Sequence, residues 1–237
     1  MAQRNALIIG GVVIAAAVVA AVAWFGFGGS RAPAPMASTA GPAPASTPAS
    51  SPAITPAPAA APGGLAEMAM GAADAKVTVV EYMSLTCPHC AAFHRDVLPQ
   101  LKTSYVDTNK VRFVFRDFPL DGVAYGAAII ARCMGEENPA RYVGFVDILF
   151  RQQERWARSP EPLGEVKRMA QVAGMSGETF DACLKNEKIA TTILQMRQEA
   201  VDKYKVAATP SFLVNGRLLE GGQSFAEFEK VLNPLLN

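Results

Sequence analysis

The sequence predicts an α/β domain interrupted by a helical insert, carried behind an apolar N-terminal segment and a Pro/Ala-rich linker. Three observations lead there. A β-branched run, a helical run that begins inside a Cys-Pro-His-Cys motif, and a second β-branched run follow one another at the spacing of a βαβ unit. A long stretch with three-to-four-residue apolar periodicity comes next. An Asn-Gly dipeptide between two apolar runs then marks a closing hairpin.

The first run, Lys76 to Met83 (KVTVVEYM), is rich in β-branched and aromatic residues and reads as a strand. After Cys87-Pro88-His89-Cys90, the segment AAFHRDVLPQLKTSY places Phe93, Val97, Leu98 and Leu101 at helical spacing. Lys110 to Phe115 (KVRFVF) alternates as a second strand. Helical periodicity then recurs near Val123–Met134, Ala140–Trp156, Leu163–Ala173, Glu178–Leu184 and Ile189–Tyr204, punctuated by Gly135, Pro139, Pro160, Pro162, Gly174 and Gly177. Ser211–Val214 and Arg217–Leu219 flank Asn215-Gly216, a pair suited to a type I′ turn. Phe225 to Leu232 reads as a final amphipathic helix with Ser224 as its N-cap.

The N-terminal 1–29 are an anchor or signal segment. Leu7 to Phe27 contains no charge, and a helix of that length rises roughly 30 Å, the thickness of a bilayer's hydrocarbon core. Arg4 precedes it, Trp24 and Phe25 suit an interface, and Arg31 weakens the charge asymmetry. The uncleaved anchor is the expected reading, because the apolar run continues past Ala21-Val22-Ala23, which itself fits a signal-peptidase site. Either reading exports the remainder: anchored to the inner membrane by residues 7–27, or soluble in the periplasm after cleavage. Residues 30–64 are almost entirely Pro, Ala, Ser and Thr. Such a segment lacks the apolar surface to offset its ordering entropy, and it reads as a disordered, semi-rigid spacer. Residues 65–237 form the folded domain, with the helical insert at about 121–204.

A formal net charge of +1 across 237 residues offers no polyanion-binding surface, so no nucleic-acid partner is expected. The chain has four cysteines and two histidines, and their positions carry the chemistry. Two cysteines three apart at a helix start can close a disulfide across one turn. Unpaired backbone N–H groups at that end favour a thiolate at Cys87. Pro88 is tolerated in a first turn, and His89 can donate a hydrogen bond or positive charge to the thiolate. Each of these favours the reduced form, and so a more oxidising disulfide. A plain stabilising disulfide and a metal site built from Cys87, Cys90 and His94 are the competing readings; the latter has no clear fourth ligand. Haem attachment is excluded, because Ala91 stands where a histidine is needed. Thr209-Pro210 opens the hairpin strand and could be only an edge device.

Taken together, VTVVEYMSLTCPHC, VRFVFRDFP, the helical insert and VAATPSFLVNG followed by a last helix resemble the DsbA family of thioredoxin-fold disulfide oxidoreductases over about Gly71 to Pro234. The resemblance implies a thioredoxin fold with an inserted helical domain. It implies Cys87 as nucleophile, Cys90 as resolving thiol, His89 as thiolate stabiliser after Pro88, and Thr209-Pro210 as a cis-proline loop against the disulfide that receives substrate. Glu81 resembles a buried acid assisting proton transfer to Cys90, although from the residues alone it could equally be an exposed strand carboxylate. Thr209 is common in isomerase-type and other DsbA-like members, where the most familiar oxidase has an apolar residue. The implied activity is the introduction of disulfides into reduced exported proteins, without a cofactor, with reoxidation by a quinone-linked, DsbB-like membrane partner. A disulfide isomerase or reductase on the same fold is the alternative.

Cys133 and Cys183 lie in apolar helical surroundings and could be two buried free thiols. An even cysteine count, export, and alphaproteobacterial-type relatives with a second disulfide in the helical region together lead to the expectation of a structural Cys133–Cys183 bond.

Overall fold

The computed structural model describes residues 62–237. The expected anchor at 7–27 and all but the last residues of the 30–64 spacer lie outside the described residues. Among the described residues no helix is long and apolar enough to cross a membrane. The strands are β1 (Ala69–Met70), β2 (Val77–Met83), β3 (Val111–Asp117), β4 (Ser211–Val214) and β5 (Arg217–Glu220). The helices are α1 (Pro88–Asp96), α2 (Leu98–Leu101), α3 (Gly122–Gly135), α4 (Pro139–Arg151), α5 (Gln153–Ala157), α6 (Pro162–Val172), α7 (Gly177–Leu184), α8 (Glu187–Tyr204) and α9 (Phe225–Leu236).

The sheet order is β1-β3-β2-β4-β5. β2 and β3 run parallel, with Val77 beside Val111 and Met83 beside Asp117, while every other pair is antiparallel. A parallel pair needs a crossover, and α1, α2 and the π-turn at Lys102–Val106 supply it. This is a thioredoxin fold with a mixed sheet, and α3 to α8 are inserted between β3 and β4.

β2 is central, and all but one of its seven residues are buried. Side chains alternate along a strand, so Val77, Val79, Glu81 and Met83 share one face. That face meets Phe93 of α1, Phe113, Phe212 and Phe228 in the larger core. Val80 and Tyr82 point the other way, onto Phe118, Ala200, Tyr204 and Val206. Each wholly buried aromatic or aliphatic side chain contributes about 1.5–3 kcal/mol. The same alternation that buries Val79 and Met83 therefore carries the carboxyl of Glu81 into the floor beneath α1.

The structure departs from the expected elements at several ends. The stretch read as one helix after Cys90 breaks at Val97 (φ −112°, ψ −47°), because Pro99 has no N–H to return to Arg95. The expected helix Ala140–Trp156 is two helices, broken at Gln152 (φ −111°, ψ 16°), and this break turns Gln153 towards the active-site loop. The last helix continues through Pro234 to Leu236; a proline so near the end forfeits a single intrahelical bond. Asn215 and Gly216 have φ of 45° and 85°, the left-handed pair a type I′ turn requires. Ser224 caps α9 and closes a reciprocal capping box with Glu227.

Candidate active site

β2 ends at Met83, and the turn Ser84–Thr86 carries the chain to α1. Cys87 is the N-cap of α1 (φ −77°, ψ 119°) and Pro88 occupies its first position. An N-cap side chain faces the free N–H groups of the first turn. Here that side chain is a sulfur, approached by the backbone N–H groups of His89 and Cys90. Cys87 is 6% exposed and Cys90 0%, and neither is bonded to another cysteine.

The two sulfurs are driven in opposite directions. The hydrogen bond from the Cys90 thiol is the largest influence on Cys87. With the contact to Thr209 and the two N–H groups it outweighs burial and lowers the Cys87 thiol to about 5. Cys90 is raised well above the usual thiol range, first by burial, then by its hydrogen bond to Cys87 and the negative charge of Glu81. When protonated, Cys87 Sγ donates to the Thr209 carbonyl at 3.2 Å. The Thr209–Pro210 peptide bond is cis and precedes β4, and the hydrogen bond to the Thr209 carbonyl sets the loop at the start of the hairpin against the motif. The structure thus brings together Cys87, Cys90, Thr209 and Pro210. The imidazole of His89 is different. It is exposed, and the residue's backbone N–H approaches Cys87.

Glu81 is 0% exposed and lies in the floor of the site. Its Oε2 meets His94 Nε2 at 3.0 Å, and its Oε1 has no hydrogen-bond partner among the described residues. Burial among core aromatics, rather than exposure on a strand, is therefore the observed environment of this carboxyl. His94 belongs to this pair, and among the described residues no group of three or more His, Cys, Asp or Glu side chains could hold a metal ion.

Sequence reasoning missed the contribution of the insert. Gln153, at the start of α5, is buried, and its amide Nε2 donates to the carbonyls of Leu85 (2.8 Å) and Cys87 (2.9 Å). Thr86 donates to Asp121, the N-cap of α3, and Leu120 N–H donates to Ser84 Oγ. The turn before the motif is therefore held by two side chains, Gln153 and Asp121, and by the backbone N–H of Leu120. An isolated glutamine in a helical stretch carries no signal of this; only the break at Gln152 aims it. At the end of β3, Asp117 accepts from Arg132 of α3 and from Tyr142 of α4 (2.9 Å), all three buried. Beside Arg132, Cys133 of α3 is bonded to Cys183 of α7, with Cα atoms 6.0 Å apart.

A parallel-antiparallel sheet with a Cys-X-X-Cys pair at the first turn of the helix after its central strand defines the thioredoxin class, and the long insert defines its DsbA-like branch. The chain belongs to the Thioredoxin family, whose model matches residues 65–234. Over 150 residues it is 38% identical to a Rickettsia bellii protein named "Putative protein-disulfide oxidoreductase", covering 63% of this chain and 57% of that one. This chain therefore spans little more than half the length of that curated relative. Among solved structures it is similar to Wolbachia pipientis alpha-DsbA1 (TM-score 0.67, 28% identity, 72% of this chain and 90% of that one). It is also similar to a protein-disulfide isomerase from Novosphingobium aromaticivorans (TM-score 0.63, 28% identity, 72% and 98%).

Proposed function

We propose that this chain is a thiol–disulfide oxidoreductase that oxidises reduced exported proteins, with Cys87 as the attacked sulfur. A client thiolate attacks Cys87 of the oxidised pair, the Cys87–Cys90 bond breaks, and Cys90 leaves and takes up a proton. A second client thiolate then attacks the client sulfur of the mixed disulfide. The client disulfide forms and Cys87 leaves as a thiolate, so two electrons have passed to the pair. A quinone-linked membrane partner accepts them on reoxidation. An anchor at residues 7–27 would keep the two proteins on one membrane, and the spacer would give the domain reach.

The observation that carries this reading is the placement of the two sulfurs, Cys87 at the N-terminal end of α1 and Cys90 wholly buried, which lowers the first to about 5 and raises the second well above an ordinary thiol. A stabilised Cys87 thiolate is a good leaving group in the second step, and it favours the reduced protein, which makes the disulfide an oxidant. Thr209 and Pro210 stand beside Cys87, where an extended client segment would lie, and His89 adds positive charge near the thiolate when protonated.

The resemblance to the Novosphingobium isomerase favours a second reading, disulfide isomerisation on the same site. Two assays separate them. Equilibration with glutathione gives the reduction potential, and a DsbA-like oxidising value supports the oxidase whereas a thioredoxin-like value refutes it. Faster refolding of a scrambled multi-disulfide protein than oxidation of a reduced peptide would favour the isomerase.

A further inference from the structure

Opening the Cys87–Cys90 bond makes a demand that the motif itself does not meet. The electron pair of that bond goes to Cys90 Sγ, which is 0% exposed. Burial and the neighbouring Glu81 carboxyl disfavour an anion there, so a proton must arrive. Cys87 cannot supply it, because Cys87 has just entered the mixed disulfide.

Beneath Cys90, one oxygen of Glu81 (Oε1) is without a hydrogen-bond partner, and the other is held 3.0 Å from His94 Nε2. The imidazole is 4% exposed and packs against Phe150, with ring centroids 4.3 Å apart. Its Nδ1 makes no hydrogen bond with the described residues. The same residue lines a pocket of about 300 Å³, walled by Leu98 and Val143 and ringed by Lys102, Asp147 and Arg151. One side chain thus belongs both to the buried pair and to a solvent-facing wall.

The geometry points to His94 as a relay that passes a proton between the pocket and Glu81, and through Glu81 Oε1 to Cys90. This rests on the oxidoreductase reading above and adds the route of its proton. When Cys90 leaves, His94 Nε2–H passes its proton to the Glu81 carboxylate, Glu81 gives a proton to the sulfur and is a carboxylate again, and Nδ1 takes one up from solvent. Reoxidation runs the path backwards, removing the Cys90 proton and restoring the original tautomer, so one proton enters per opening and one leaves per closing. His94 acts through Glu81 and does not touch the sulfurs, which makes it a positioning and relay residue. The titratable and charged groups facing the path are Glu81 on β2, Cys90 on α1, Tyr142, Asp147 and Arg151 on α4, and Lys102 after α2.

The test uses single-turnover kinetics of the full chain from pH 5 to 8. Oxidised protein is mixed with a reduced peptide, and reduced protein with glutathione disulfide. His94→Ala is expected to slow both directions by about a hundredfold at neutral pH, the low end of a general acid–base contribution. Added imidazole should restore much of the loss, whereas thiazole, a ring of similar size that is not protonated in this range, should not. His94→Gln keeps a hydrogen-bonding group against Glu81 but cannot relay a proton, so it should be equally slow while folding normally. Rates within twofold of the parent in both variants would overturn the inference, as would equal restoration by thiazole, which would reduce His94 to packing. If the parent itself fails to oxidise the peptide, the oxidase reading falls, and the relay is still judged from the glutathione-disulfide direction.

Discussion

The thiolate at Cys87 leads to a specific dependence of the reduction potential on pH. Reducing the pair takes two electrons and as many protons as the two sulfurs then hold. With Cys87 at about 5 and Cys90 well above the ordinary 9.0, the reduced form holds both protons only below pH 5 and one proton from there past pH 8. For a two-electron couple a tenfold change in equilibrium constant is about 30 mV. The potential should therefore fall by roughly 59 mV per pH step below pH 5 and by about 30 mV per step above it. At pH 7 the ionisation of Cys87 lies two decades above its midpoint, whereas a thiol at 9.0 is still protonated. The thiolate then stabilises the reduced form by about 2.7 kcal/mol, equivalent to about 60 mV of added oxidising power. The site is almost closed to solvent, with Cys87 6% exposed, so screening removes little of this. Equilibration with glutathione buffers from pH 4 to 8, read by alkylation of trapped thiols, measures the slope. A slope that stays near 59 mV through pH 7, with its break near 9, would show an ordinary thiol and refute the reasoning. The sign for stability follows the same midpoint. Because folding lowers the Cys87 value, the reduced protein gains stability as pH rises and loses this contribution as pH falls through about 5.

Gln153→Leu leaves the Leu85 and Cys87 carbonyls without their side-chain donor. It should cost about 1–3 kcal/mol in urea unfolding and raise the Cys87 midpoint in an ultraviolet thiolate titration; an unchanged midpoint would show that the insert does not shape the motif. Replacing Cys133 and Cys183 together by alanine opens a loop of 50 residues and should lower stability by about 4 kcal/mol in the chain-entropy model. A loss under about 1 kcal/mol would mean that the unfolded chain is not what the bond restrains. His89→Ala keeps the backbone N–H at Cys87 but removes the ring, and is expected to raise the Cys87 midpoint; a constant midpoint would assign the whole effect to the Cys90 thiol, Thr209 and the backbone.

Strand β2, the first turn of α1 and the β4–β5 hairpin were legible because their signals are local. β-branching, the Cys-Pro-His-Cys spacing and Asn215-Gly216 act within a few residues of where they stand. Even so, β1 escaped notice, since two residues pairing with Val114 and Phe113 owe their conformation to β3 and not to any preference of their own. The break between α4 and α5 was hidden for the opposite reason, because apolar periodicity runs unbroken from Tyr142 to Trp156 and masks a single non-helical residue at Gln152. The candidate site divides in the same way. Cys87, Cys90 and the Thr209-Pro210 loop could be named from motif and resemblance, whereas Gln153 is a long-range partner and nothing within its own segment sets it apart.

Glu81 and His94 lie between these cases. Strand parity alone places Glu81 with Val79 and Met83, so its burial could have been read once the buried face was known. His94 stands four residues after Cys90, and that spacing suggested a third ligand beside the two sulfurs. One helical turn does put the imidazole on the same side of α1 as Cys90, but the ring turns down to Glu81 instead of up to the sulfurs. The difference lies in what fills the space under α1. Phe115 and Phe150 close on the ring from two sides, and a buried carboxyl left without a donor there would cost about 1–3 kcal/mol or more. A metal needs ligands converging on a shared empty point, whereas here Glu81 Oε2 already occupies the imidazole's direction of approach. The same spacing therefore serves a proton path under the helix, and the chemistry of the second cysteine is set from below while that of the first is set at the helix end.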